Sequence, residues 1–239
     1  MTTVNPNGTT QRTISTTTTL TASDYGNLII CTGSSAYTVT LPAASSPRMI
    51  QFSFQTSSNA LITLAPASGT IAGQSTVVYG SNEGCTIESD GSNWYIVQHY
   101  LQPVSFSVYL AGAQTITTSA AQIINFDTKN FDIGSFFSTS NHNYIPLYTG
   151  KYVFYYCLEW QAASTQNLVP GIYLNGSLKF AHVQGLNSGF LDTAKGSGIL
   201  QLNGSTDTVD IRANTNGTNN ALTVGSTSVY LFGHRISNF

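Results

Sequence analysis

Charge is what this 239-residue chain has least of. Eight per cent of its residues are Asp, Glu, Lys or Arg, against about 25% in an average soluble domain. Eight basic residues and ten acidic ones leave a formal net charge of −2. No cluster of Lys or Arg stands anywhere along it, so nothing draws in a phosphate backbone and nucleic acid is excluded as a partner. Long apolar runs are missing too. No stretch of about 18 apolar residues exists to cross a bilayer as a helix, and no membrane insertion is expected. The start, Met1-Thr2-Thr3-Val4-Asn5-Pro6, has no basic segment leading into an apolar one. No secretory signal is read there, and assembly in a cytoplasm is expected. The cysteines, Cys31, Cys85 and Cys157, are odd in number and irregularly spaced. They make neither a disulfide framework nor a zinc site, and read as buried free thiols.

The motifs of common chemistries are equally scarce. His99, His142, His182 and His234 are scattered, with no HExxH and no neighbouring Cys pair. No phosphate-cradling glycine loop, dinucleotide fingerprint or nucleophile elbow occurs. Serine and threonine abound, but a nucleophile needs a positioned base and a group that orients it. Cleaving a glycosidic bond needs two carboxyl groups across a sugar, and Asp127 and Asp132 read instead as turn residues. No enzyme and no cofactor is expected. No local acid cluster marks a calcium site, and calcium is left open.

Thr, Ser, Asn, Gln and Gly fill the polar positions. Such a surface suits a very stable obligate assembly or recognition of sugars by hydrogen bonding. The same composition also follows simply from a β-rich chain, since Thr favours strands and Asn, Ser and Gly fill turns. Residues 1–20 lack any period and read as an extended arm with no core of its own. Residues 21–99 show short, evenly spaced strands parted by Gly, Asn, Ser and Pro, the layout of a small β-sandwich or barrel. Residues 100–103 read as a linker, and residues 104–239 as a second all-β domain. No amphipathic helix is apparent. Asn7, Asn175, Asn203 and Asn216 each open an Asn-Gly-Ser/Thr triplet and read as turns.

In Gly150-Lys151-Tyr152-Val153-Phe154-Tyr155-Tyr156, aromatics recur at every second position and so share one face of a strand. The opposite face, with Val153, Tyr155 and Cys157, is also apolar. The last strand repeats this, with Leu231 among one set and Tyr230 and Phe232 in the other. A sandwich strand needs only one buried face. These two therefore predict a contact with other copies of the chain, without fixing which face is which.

The run Phe126, Asp132, Phe137, Tyr144, then Gly150-x-Tyr152-x-Phe154-x-Tyr156 resembles the pattern of the complement-one-q and tumour-necrosis-factor superfamily. Phe106 to Leu110, Ile172-Tyr173-Leu174-Asn175-Gly176, Leu200-Gln201-Leu202, Asp207-Thr208-Val209 and Tyr230-Leu231-Phe232-Gly233 extend it. The resemblance implies an antiparallel jelly roll that forms homotrimers and binds other molecules without catalysis. Ser23-Asp24-Tyr25-Gly26, Thr38-Val39-Thr40-Leu41-Pro42 and Ser89-Asp90-Gly91-Ser92-Asn93-Trp94-Tyr95 are similar to a module of bacteriophage tail-fibre and virion appendage proteins. Together the two resemblances imply a trimeric head or tail fibre located on the virion. The arm and first module would dock on other virion proteins, and the jelly roll would adhere to a host-surface carbohydrate or protein. A capsid decoration or tail joint is the alternative, and a bacterial lectin-like adhesin a third. The implied strand order puts the loops at 162–168, 184–196 and 214–226 at one far end. There amides and a ring face would meet a sugar, and the candidates are Trp160, Gln161, Asn167, Asn187, Asn216, Asn219 and Asn220.

Overall fold

The computed structural model describes the chain except for residues 1, 5–9, 45–47, 58–59, 118–119, 162–165, 187–190, 216–219 and 239. The described elements are β-strands and one 3-10 turn at Ala22–Asp24. Two units separate: Met1–Gln102 with Asn238–Phe239, and Pro103–Ser237.

The first unit holds β1 (Thr2–Val4), β2 (Thr10–Ile14), β3 (Thr18–Thr19), β4 (Leu28–Cys31), β5 (Tyr37–Leu41), β6 (Arg48–Phe54), β7 (Ile62–Pro66), β8 (Val77–Tyr79), β9 (Glu83–Ser89) and β10 (Trp94–Tyr100). The chain passes back and forth between two sheets. Strands β2, β4 and β6 lie parallel in one, and β3, β5 and β7 parallel in the other. Each return lays one coil beside the last, as in a β-solenoid. Antiparallel strands finish it, with β9 and β10 beyond β6, β8 beyond β7, and β1 beside β2. Like positions stack: Ile14, Cys31 and Phe54 form one row, Val39, Leu64 and Val77 another. One core cluster joins both sheets, so this is a sandwich, wound in parallel. Period-two alternation is the same in parallel and antiparallel strands, so the winding left no mark in the sequence.

The expected arm needs correcting. Thr10 to Leu20 form the first coil, with Ile14 and Leu20 in the core. Two apolar residues among threonines are too few to show a period, yet one inward side chain per strand suffices when a neighbouring coil supplies the rest.

The residues behind the tail-fibre resemblance meet around Trp94, which is fully buried. Its indole N–H donates to the Pro42 carbonyl at 3.3 Å, and Tyr25 lies 6.3 Å from it, ring to ring. Asp90 Oδ1 accepts the Ser92 and Asn93 amides and tightens the turn before it. Asp24, almost wholly buried, takes Arg12 in a two-oxygen ion pair at 2.7 and 2.8 Å and accepts the Thr21 amide. The three motif segments thus hold the coil shut.

The second unit holds β11 (Ser105–Tyr109), β12 (Thr115–Ile116), β13 (Gln122–Ile123), β14 (Thr128–Ile133), β15 (Phe137–Ser138), β16 (Asn143–Tyr144), β17 (Thr149–Gln161), β18 (Gln166–Leu174), β19 (Ser177–Ala181), β20 (Gln184–Leu186), β21 (Leu191–Asn203), β22 (Val209–Thr215), β23 (Asn220–Leu222) and β24 (Tyr230–Ser237). One sheet runs β14-β11-β24-β17-β21, and the other β15-β16-β22-β18-β19. All pairings are antiparallel, and the chain crosses repeatedly between the sheets. That is an antiparallel jelly roll, and the chain as a whole is all-β. The core is aromatic: Phe106, Tyr144 and Phe154 crowd together, Phe106 and Tyr144 stacked at 4.5 Å. Strand β14 was not foreseen, because exposed Lys129 and Asn130 break its alternation.

Candidate functional site

Strands β17 and β24 resolve their two apolar faces. Tyr152, Phe154, Tyr156 and Leu231 point into the core. Tyr155 and Phe232 point outward and stack on each other at 4.9 Å, with Tyr230 6.1 Å from Phe232. Pairing register extends this outer face across five strands. One row reads Phe131, Ser107, Phe232, Tyr155 and Ser197, and the next Ile133, Ser105, His234, Val153 and Ile199. Exposure runs from 37% at Phe232 to 54% at Ile199, high for such large apolar side chains side by side. Val153 and Cys157 have the same outward parity but are buried. Burial pushes the Cys157 thiol pKa up, against the opposing influences of Lys195 and the Tyr230 hydroxyl.

A recess of about 270 Å³ opens beside this stack, between Tyr155, Tyr230, Phe232 and Lys195. Its floor is Gly196. A Cβ there would fall 2.4 Å from the Tyr156 hydroxyl and 2.5 Å from His182 Nδ1, two atoms hydrogen-bonded to each other at 3.0 Å. At Gly198 a Cβ would strike the Phe180 ring. Glycine at these alternate positions lets β19 and its flank close over β21. The alternation Gly196-Ser197-Gly198 was the available signal for that close approach, and it was missed.

The two ends of the jelly roll differ. At one, Asn203 Oδ1 accepts the amides of Ser205, Thr206 and Asp207, while Asn175 is joined to Asp207 and Thr208. At the other, Gln161 pairs with both Leu191 and Ala221, and Leu168 with both Thr215 and Gln184. The strand ends leading to residues 162–165, 187–190 and 216–219 therefore lie side by side. Of the expected ligand residues, Gln161 and Asn167 are exposed there. Asn187, Asn216 and Asn219 lie outside the described residues, as does the side chain of Asn220, which opens β23. Trp160 is a correction: it is fully buried in the core and offers no ring face to a ligand. It shares parity with Tyr152, Phe154 and Tyr156, so alternation alone sends it inward.

Asp127 and Asp132 clamp turns. Asp127 accepts the Ala111 and Gly112 amides at 2.8 Å; these bonds outweigh partial burial and hold its carboxyl below the usual range. Asp132 accepts the Phe136 and Phe137 amides and pairs with Lys129. Among the described residues no group of three His, Cys, Asp or Glu is placed to hold a metal ion.

No protein-family model matches the chain, and no curated protein does. Solved structures of similar fold include the globular domain of zebrafish complement 1qA, 15% identical, spanning 58% of this chain and all of that one with a TM-score of 0.44. Murine APRIL at pH 5.0 is 12% identical over 56% of this chain and all of its own, with a TM-score of 0.45. Eiger TNF from S. frugiperda is 11% identical over 58% of this chain and 96% of its own, with a TM-score of 0.42. The jelly-roll assignment stands on strand order and register, independently of these scores.

Proposed function

We propose that the chain is a non-enzymatic homotrimer serving as a bacteriophage virion appendage. Its first unit docks on other virion proteins, and its jelly roll adheres to a host-surface glycan or protein. One observation carries the trimer: the outer face of the β14-β11-β24-β17-β21 sheet bears exposed Phe131, Phe232, Tyr155, Ile133 and Ile199 among serines and His234, while the opposite side chains of β17, β24 and β21 fill the core. Burying such a face between copies removes it from water, and cyclic closure leaves no sticky surface over. The phage assignment draws on the motif residues gathered around Trp94, and adhesion on the far-end strand ends with exposed Gln161 and Asn167.

Native mass spectrometry of the whole chain is expected to give about three times 25.5 kDa, as closed cyclic assembly requires. Phe232→Asp should return a folded monomer, since a charge inserted into an apolar contact costs several kcal/mol, on the order of 3. A folded wild-type monomer at micromolar concentration would overturn the trimer. The burial of Trp160 favours a second reading, a capsid decoration or tail joint with a purely structural role, because it removes the one tryptophan from the expected sugar-binding set. Particles lacking the chain separate the two: lost adsorption supports adhesion, and lost particle integrity supports the joint.

A further inference from the structure

The first unit carries a groove that neither the trimer nor the far-end loops use. Register across β4, β6, β9 and β10 lines up Leu28, Gln51, Thr86 and Gln98 on the outer face, with Ser53, Gly84 and Tyr100 in the adjoining row. Gly84 adds no side chain, so the second row dips at its centre. A trough of about 570 Å³ runs past Gly84 and Tyr100 towards Gln55 and Asn82. It adjoins a recess of about 210 Å³ between Gln51 and Gln98 that shares Phe52, Gly84 and Tyr100 with it.

The chemistry of this groove is neutral. Among the described residues its one charged lining residue is Glu83, which is buried, with Oε2 accepting the Gly80 amide at 2.8 Å and Oε1 the Gln102 amide at 3.2 Å. The carboxylate is thus occupied by the backbone, and no described Lys, Arg or His lines the walls. Glu88, on the same face, stands in the next row with Met49 and Tyr95. The side chains of Gln51, Thr86 and Gln98 make no hydrogen bond to another described side chain or backbone group. A primary amide offers a donor and an acceptor side by side, the arrangement that adjacent sugar hydroxyls match. Tyr100, 62% exposed, supplies an aromatic face for the C–H side of a pyranose ring.

We propose that this groove binds a neutral saccharide, with Tyr100 against the ring and the exposed Gln51 and Gln98 on its hydroxyls. Acidic, sulfated and phosphorylated sugars meet no cation there and are disfavoured. The test uses the full chain on immobilised lactose, cellobiose and chitotriose, with sialyllactose and a sulfated lactose as charged counterparts. At least one neutral sugar should be bound in preference to the charged ones. Tyr100→Ala and the pair Gln51→Ala/Gln98→Ala should each weaken that binding at least tenfold. If Tyr100→Ala lowers the melting temperature, the exposed glutamine pair decides. No binding of any neutral sugar, preference for the charged ones, or wild-type binding by the glutamine pair overturns the proposal. Loss with Asn167→Ala alone also overturns it and assigns sugar binding to the far-end loops.

Discussion

In the first unit the strands of the coils, β2, β4 and β6 in one sheet and β3, β5 and β7 in the other, lie beside the strand one coil earlier and run the same way, with antiparallel strands added only at the ends. In the second, every strand pairs with neighbours that run opposite. The cores differ to match. Parallel coils place like positions over one another, and the first core is largely Ile, Leu and Val in rows with Trp94 at the closing turn. The jelly roll has to fill the space between two curved sheets, and does so with Phe106, Phe126, Tyr144, Tyr152, Phe154 and Trp160. Polar anchoring is shared: each unit holds ion pairs, Arg12 with Asp24 in the first and Lys129 with Asp132 and Arg212 with Asp210 in the second, and each fastens turns with side-chain oxygens on backbone amides, as at Asp90 and at Asn203.

The largest effect is expected where one unit's pin is removed and the other is followed. Trp94→Ala should cost the first unit about 3–5 kcal/mol through the cavity it leaves. Calorimetry should show one transition falling steeply while the jelly-roll transition holds. A joint fall of both would mean that the units melt as one. Next in size comes Gly204→Ala. Gly204 has φ +73°, and a Cβ would lie 2.3 Å from the Thr149 amide nitrogen. A loss of about 2 kcal/mol, confined to the jelly-roll transition, is expected from the strained backbone and the forced shift.

The smallest effect concerns the thiols of the first unit. Burial pushes Cys31 and Cys85 up to about 12. Unfolded cysteines ionise near about 8.5, so the stability these thiols contribute is whole below that pH and drains away as pH rises towards the folded values. Between pH 8 and 9 a thiol reagent should therefore leave both untouched in the folded chain and label them only after the first transition. Rapid labelling before melting would show the parallel core to be open.

Much of this was legible in the residues. Alternation at Gly150–Gln161 announced β17 with both faces apolar, and the Asn-Gly pairs at 175 and 203 marked turns that the structure places between β18 and β19 and after β21. What alternation cannot carry is direction and partnership. It left the parallel winding of the first unit invisible, gave the Thr-rich first coil to an arm, and passed over β14, whose outward Phe131 and Ile133 sit among polar residues. For the candidate site, the outward pairing of Tyr155 with Phe232 needed the β17–β24 register, which no single strand's alternation contains. Trp160 was legible in principle, since its even spacing from Tyr152 already sends it into the core.

The parallel winding has one further consequence. Because β2, β4 and β6 pair only with their neighbours along one sheet, the number of coils in the first unit is a quantity that can be adjusted in whole steps. An additional coil between β5 and β6 would displace what lies beyond it by roughly 4.8 Å, one strand spacing. It would ask nothing new of the jelly roll, whose strand pairings are all its own. The number of coils in the first unit and the packing of the second are therefore independent.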